Sequence, residues 1–252
     1  MKIALVSPYD FAYPGGVTAH VVDLGREFRR IGHDVKFIAP SSKSPSSLGL
    51  DNLIRLGIPV PVPINGSVAR ISLSLWLIPK IKALLQQEDF DVIHFHNPYT
   101  PLLPLLILRF SHSLNIGTFH GFHEEEKKYL LRKRILRGSF ERLHGCIAVS
   151  APAREFMNRY FRSDYQVIPN SVDVDHFANP SLPIPELMDG KINLLFVGRM
   201  EKRKGLKYLL CAYSHLKWDY PNLRLVVVGP GTPDKESLQI IGERNLQDVV
   251  FS

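Results

Sequence analysis

Apolar runs rich in valine and isoleucine alternate along this chain with stretches of helical period, and that alternation constrains the fold more than any other feature. Strands buried on both faces read as continuous apolar runs, and parallel strands need crossover connections that are usually helical. Ile3 to Ser7, Val35 to Ala39, Val92 to His96, Ile116 to Phe119, Cys146 to Val149 and Gln166 to Ile168 are the predicted strands of a first sheet. A helix is expected from Ala19 to Ile31, with Val21, Leu24, Gly25 and Phe28 on one face and Asp23, Arg26, Arg29 and Arg30 elsewhere; Gly32 stops it. Ser41 to Gly49, rich in Ser and Pro, reads as a mobile surface loop.

The pattern then restarts, with a strand at Asn193 to Val197, a helix at Leu206 to Lys217, a strand at Arg224 to Val228, a helix at Asp234 to Glu243 and a strand beginning at Val249. The fold class expected is α/β, with two doubly wound parallel-sheet domains of Rossmann type. The first covers residues 1–180, a proline-punctuated connector covers 181–191, and the second covers 192–252. Only about three strands of the second sheet are present where five or six are usual, so that domain is expected to be truncated.

The sharpest chemical signal follows the apolar run Ile192 to Val197. There the chain reads Gly198-Arg199-Met200-Glu201-Lys202-Arg203-Lys204-Gly205 before a helix begins. Arg199 and Lys204 sit beside a helix N-terminus, whose amides and dipole favour an anion, and together they make a place for a diphosphate. The bland alternative is a solvated run of charge. Pro14-Gly15-Gly16-Val17 forms a second glycine turn after the first strand. Its spacing is wrong for a dinucleotide fingerprint. It is either an ordinary βα turn or a loop whose missing side chains admit a phosphate or sugar, and two such turns suggest a cleft between the domains.

His94 and His96 close one strand with period two, which places them on one face, and His120 and His123 follow the next strand. No cysteine or carboxylate completes a ligand pattern with them, so no metal is expected. His120, at the C-terminal edge of a parallel strand, occupies the position where open α/β sheets contact ligands and is the leading acid, base or hydrogen-bonding residue.

A net charge of +7 and an isoelectric point near 9.4 favour anionic partners. Nucleic acid is not expected, for no aromatic-interleaved groove or recognition module is legible. Cys146 and Cys211 share no metal spacing and read as small apolar side chains of a reducing, cytoplasmic compartment. No apolar stretch suits a bilayer span. Leu73 to Leu85, with Trp76, Lys80 and Lys82, and the basic stretch Lys127 to Arg137 offer a peripheral contact with an anionic membrane at the inner face of the plasma membrane. The same patterns suit core-facing helices with a wet basic side.

Taken together, Pro14-Gly15-Gly16-Val17, Gly32-His33-Asp34-Val35, Phe90 to His96, Ala148-Val149-Ser150, Ile168 to Asp173 and the block Phe196 to Gly205 resemble the retaining glycosyltransferases of the GT-B fold, family 4. Within that family Ser7-Pro8-Tyr9 and Val60 to Arg70 are most similar to bacterial phosphatidylinositol mannosyltransferases, departing from them at Thr18 and Ile64. The resemblance implies transfer of a hexose, mannose above all, from a nucleotide diphosphate sugar such as GDP-mannose to a hydroxyl of a lipid or polyol acceptor. It implies that Gly15, Gly16, Arg199, Arg203 and Lys204 bind the donor, that His120 lies by the transferred sugar, and that Tyr9, Asn65 and Arg70 bind an inositol phosphate head group. His120, Arg199 and Lys204 are the expected catalytic residues, with Arg199 and Lys204 both stabilising the charge that builds on the departing diphosphate. No metal or other cofactor is implied. The family's paired glutamates are not found in these residues, which implies that the chain by itself does not turn over. A nucleotide-sugar epimerase on the same fold and a non-catalytic binding fragment are the competing readings.

Overall fold

A computed structural model describes residues 1–64, 67–121, 136–178 and 182–252. Asn65, His123 and most of the basic stretch, residues 127–135, lie outside the described residues. The chain divides into two compact units, Met1–Val62 with Ala69–Val174 and Pro63–Val68 with Asp175–Ser252. The connector 181–191 therefore falls inside the second unit rather than between two. The reason is visible in its contacts: Arg224 donates to the Glu186 carbonyl at 3.3 Å and to the Asp189 carboxylate, and Asn193 donates to the Leu187 carbonyl at 3.1 Å.

The first unit is a seven-stranded sheet flanked by helices. Its elements are β1 Lys2–Val6, α1 Gly16–Arg30, β2 Asp34–Ala39, β3 Leu53–Arg55, β4 Val60–Ile64, β5 Ser67–Ile71, α2 Ile78–Glu88, β6 Val92–His96, α3 Leu103–Phe110, β7 Leu114–Phe119, β8 Gly145–Ala148, α4 Ala151–Tyr160 and β9 Tyr165–Val167. The strands pair in parallel in the order β3-β2-β1-β6-β7-β8-β9, while β4 and β5, of which residues 63–68 belong to the second unit, form a separate two-stranded sheet. Strand order reverses between β1 and β6, and such a reversal opens a crevice beyond the strand C-termini.

Alternate residues feed the two faces. Ile3, Leu5, Val35 and Phe37 pack with Val21 of α1 on one side, and Ala4, Val6, Ile93 and Phe95 pack with Ile81 of α2 and Ile107 of α3 on the other. Helix α1 begins at Gly16, earlier than the predicted Ala19, with extended Gly15 as its N-cap. The segment after β2 lies at the surface as expected, with residues 42–44, 46, 47 and 49 exposed, but its start is anchored. Ser41 is buried, and the buried Asp10 carboxylate accepts from the amides of Ser42 at 2.9 Å and Ala12 at 3.0 Å, tying the turn after β2 to the turn after β1. Leu73 to Leu85 also divides into two parts: Leu77, Ile81, Leu84 and Leu85 face the core, while Leu73, Leu75 and Trp76 project outward.

The second unit contains α5 Val174–Ala178, β10 Ile192–Val197, α6 Leu206–Asp219, β11 Leu223–Val228, α7 Lys235–Glu243 and β12 Val249–Phe251. Its three strands are parallel in the order β10-β11-β12. Leu206, Leu210 and Tyr213 of α6 cover Leu225 and Val227, and Tyr213 donates its hydroxyl to the Leu223 carbonyl at 3.0 Å. Among the described residues no helix is long and apolar enough to cross a membrane. Cys146 is buried as expected, whereas Cys211 is half-buried.

Gly25 shows how tightly α1 sits on the sheet. A Cβ there would lie 2.4 Å from the Phe37 ring and 3.2 Å from Leu5, both buried. Gly25→Ala is expected to destabilise the first unit by about 1–3 kcal/mol, the usual cost of overpacking. Chemical denaturation of the variant against the parent measures it.

Candidate functional site

The polar residues of the first unit gather where the strand order reverses. Because Ile93 and Phe95 enter the core beneath α2 and α3, His94 and His96 of β6 face α1, and their rings stack at 4.5 Å. That is the shared face their spacing predicted. His94 Nε2 bonds the Thr118 hydroxyl of β7 at 2.7 Å, and His96 Nδ1 bonds His120 Nε2 at 2.9 Å. His20 arrives from α1, with ring centroids 5.6 Å from His96 and 5.4 Å from His120.

Asn97 joins this cluster to the turn after β1. It lies past the end of β6 in the left-handed region at φ 54°, a conformation that asparagine tolerates better than most residues. Its amide nitrogen donates to the Tyr9 hydroxyl at 3.0 Å, and its amide oxygen accepts from the backbone of His120 at 3.0 Å. Asn170 faces the His120 ring from the loop after β9. Arg70 stacks its guanidinium over Tyr13 at 4.6 Å, and its carbonyl accepts from the Asp10 amide at 2.9 Å. Tyr9 and Arg70 are thus held by one loop, with Tyr9 bridged to Ile71. Burial raises the Tyr9 pKa against the opposing pull of Asn97 and Thr100, so the phenol is a protonated donor at neutral pH.

Gly15 and Gly16 are exposed at the start of α1, and a Cβ on either would meet nothing within 4 Å. Neither has a positive φ, so the chain's own packing does not demand glycine there. The first turn of α1 carries no acidic residue and no side-chain cap, leaving its amides open to an anion.

In the second unit, Gly198 to Gly205 joins β10 to α6. Gly229, at φ 145°, lets the two strand ends close up, for a Cβ there would fall 2.0 Å from the Gly198 carbonyl oxygen. Gly205, at φ 77°, caps α6, whose first turn again has no side-chain cap and no acid. Two carboxylates hold most of the nearby cations. Glu201 pairs with Arg199 and Arg203, each at 3.0 Å, and Glu236 pairs with Lys207 at 2.8 Å and Lys202 at 3.4 Å. Among the described residues Lys204 has no ion-pair partner, which leaves its ammonium available at the helix start.

His20 and Asn97 escaped sequence reasoning, as did the pairing roles of the carboxylates Glu201 and Glu236. His20 lies one turn into a helix with an unremarkable pattern, and only the packing of α1 on β6 reveals its neighbours. Asn97 had a legible signal in Asn97-Pro98 directly after a strand, a turn-forming pair.

Burial is the largest influence on the histidines. It lowers His94 and His120 from 6.5 to about 4, with charge repulsion among the rings adding to the effect, and it also holds His96 well below 6.5. These groups stay neutral in the folded chain while the unfolded chain takes up protons below 6.5, so folding stability is flat above pH 6.5 and falls between 6.5 and about 4. Thermal melts across that range are expected to show a falling midpoint. His94→Gln, which can keep the bond to Thr118 but cannot titrate, should flatten the slope.

Residues 14–176 match the family model described as Glycosyltransferase Family 4, and residues 182–252 match Glycosyl transferases group 1. A phosphatidyl-myo-inositol mannosyltransferase of Mycobacterium tuberculosis is 38% identical over 93% of this chain and 62% of that protein. The protein of the same name from Propionibacterium freudenreichii is 37% identical over 92% of this chain and 62% of its own length. The chain thus spans about 62% of the length of these curated relatives. Among solved structures, the pneumococcal O-GlcNAc transferase GtfA in complex with UDP and GlcNAc superposes with a TM-score of 0.70 at 10% identity, covering 100% of this chain and 76% of that one. The parallel α/β architecture is the GT-B fold, and with a family model matched from residue 14 to 176 this chain belongs to glycosyltransferase family 4.

Proposed function

We propose that this chain serves a retaining hexosyltransferase that moves mannose from a nucleotide diphosphate sugar, GDP-mannose in the first instance, to a hydroxyl of phosphatidylinositol. The observation that carries the reading is the hydrogen-bonded chain Tyr9–Asn97–His120, which couples a residue expected at the acceptor to one expected at the transferred sugar. The names of the relatives support the acceptor class.

In the reaction the bond between the anomeric carbon and the diphosphate oxygen breaks, and its electron pair leaves with the diphosphate. The acceptor hydroxyl attacks the same face and passes its proton to a departing phosphate oxygen, which conserves the anomeric configuration. Charge building on the diphosphate calls for fixed donors, and Lys204 with the uncapped amides of α6 meets that need. Arg199 and Arg203, already paired with Glu201, orient the loop and add a weaker attraction. The depressed pKa of His120 keeps its imidazole neutral at pH 7. It therefore holds a sugar hydroxyl by hydrogen bonding and does not serve as a cationic acid. No step calls for a metal.

The acceptor reading also needs a surface that meets lipid. Leu73, Leu75 and Trp76, the last 90% exposed, stand beside exposed Lys80 and Lys82. An outward tryptophan flanked by leucines and lysines suits the boundary of an anionic bilayer.

Two measurements test these roles in the enzyme taken at its relatives' full length. Lys204→Ala is expected to lower kcat by about 10²–10³-fold, the scale for one preorganised donor, and Arg203→Ala by much less. Transfer unchanged by the lysine substitution would remove the charge-stabilising role, and a product lacking any glycoside bond would favour an epimerase. Trp76→Ala is expected to weaken partition onto phosphatidylinositol vesicles at least about tenfold, the value of one apolar side chain withdrawn from water. Sedimentation with the vesicles reads it.

A further inference from the structure

Three imidazoles from three separate elements converge at the edge where the first sheet reverses: His20 from α1, His96 from the end of β6, and His120 after β7. Their centroids form a nearly equilateral triangle of 5.6, 5.4 and 5.2 Å. One ring nitrogen of each lies within 4.8 Å of the other two. His96 is fully buried, and its Nε2 meets no partner; His20 Nδ1 and His120 Nδ1 are buried without a well-formed hydrogen bond as well.

Buried ring nitrogens without partners are costly, at about 1–3 kcal/mol each, and the one bond within the cluster, His96 Nδ1 to His120 Nε2, leaves His20 Nδ1 and the outer nitrogen of His96 unsatisfied. A small hydroxyl has one proton to offer three rings. A Lewis acid accepts one nitrogen from each ring at once, taking the place of the proton shared by His96 and His120. From this arrangement we infer that His20, His96 and His120 form a binding site for a divalent transition-metal ion, zinc in the first instance, with one nitrogen from each ring and a fourth position open to water or to a ligand hydroxyl.

The chemistry of the donors fits. Imidazole suits zinc, copper and nickel and discriminates against magnesium and calcium, which take oxygen ligands. Zinc–nitrogen bonds of about 2.0–2.1 Å place tetrahedral ligand atoms roughly 3.3 Å apart. His96 Nδ1 and His120 Nε2 already stand at 2.9 Å, and half-buried His20 closes the remaining gap by turning about its side-chain torsions. Metal ligation requires neutral rings, and burial keeps all three uncharged at neutral pH. Neighbouring groups hold the rings in place: Asn170 faces His120, and His94, engaged with Thr118, stacks on His96.

Such an ion stands outside the transfer chemistry. It occupies the imidazole that the proposed function assigns to the sugar hydroxyl, so zinc acts as an inhibitor that a chelator relieves. That consequence rests on the transfer reading; the binding itself does not.

The test uses the 252-residue chain without substrate. Titration with zinc chloride against a chromophoric chelator is expected to show one ion bound per chain, and cobalt substituted at the site should give the intense visible absorption of four-coordinate geometry. His20→Gln and His120→Gln should each weaken zinc at least about tenfold, while His215→Gln, on an exposed helix face, should leave it unchanged. Circular dichroism verifies folding, and if His120→Gln misfolds the half-buried His20→Gln carries the same comparison. Zinc binding that is absent, or that survives both substitutions, overturns the site. Because binding is read on the protein alone, a lack of sugar transfer leaves the metal site standing, and a lack of metal leaves the transfer reading standing.

Discussion

A parallel sheet sends every strand C-terminus to one edge, and the reversal of strand order between β1 and β6 divides the loops at that edge. The whole histidine and tyrosine cluster depends on this topology. His96 ends β6, His120 follows β7, Tyr9 and the glycine turn follow β1, and each reaches the same edge because the strands run the same way. Hydrophobic packing on both faces fixes the sheet, and the polar cluster inherits its geometry from that packing. The cost of drying several imidazoles is carried by a core that gains nothing from them, which is the usual mark of a site kept for function.

Neutrality is the chemical outcome of that burial. An exposed histidine titrates near physiological pH and changes its hydrogen-bonding habits as it does so. Inside this cluster, with His94 and His120 brought to about 4, each ring keeps one donor and one acceptor throughout the physiological range. Fixed donors and acceptors are what the recognition of a sugar hydroxyl requires, and lone pairs free of protons are what a metal requires. One physical fact supports both.

Much of the fold was legible because period and punctuation depend on near neighbours. The apolar runs marked all six strands predicted for the first sheet to within about two residues, and Gly32 marked the stop of α1. What escaped depends on contacts distant in sequence. Strand β3 has only three residues and was not predicted, nor were β4 and β5, the first of which carries prolines at 61 and 63 and which form a sheet apart from the main one. The anchor at the start of the surface loop after β2 was not legible because the carboxylate that holds Ser42 lies 32 positions away. The site divides along the same line. His94 and His96 were placed by strand period, whereas His20 and Asn97 become part of the cluster only when α1 and β7 dock beside β6.

The loop of the second unit shows why counting cations in sequence overstates a phosphate site. Arg199, Lys202, Arg203, Lys204 and Lys207 crowd the start of α6, yet four of the five are neutralised by Glu201 and Glu236. Those pairs are partly exposed and individually worth little for stability, with side chains from 16% to 65% accessible. Their effect is geometric, since each carboxylate clamps two long side chains and so limits the conformations of the loop. An anion at the helix start would meet open amides, the positive end of the helix dipole and the Lys204 ammonium, which has no carboxylate partner among the described residues. Under the proposed function, recognition of a diphosphate in that loop rests on Lys204 and the backbone, with the remaining cations holding the loop in position.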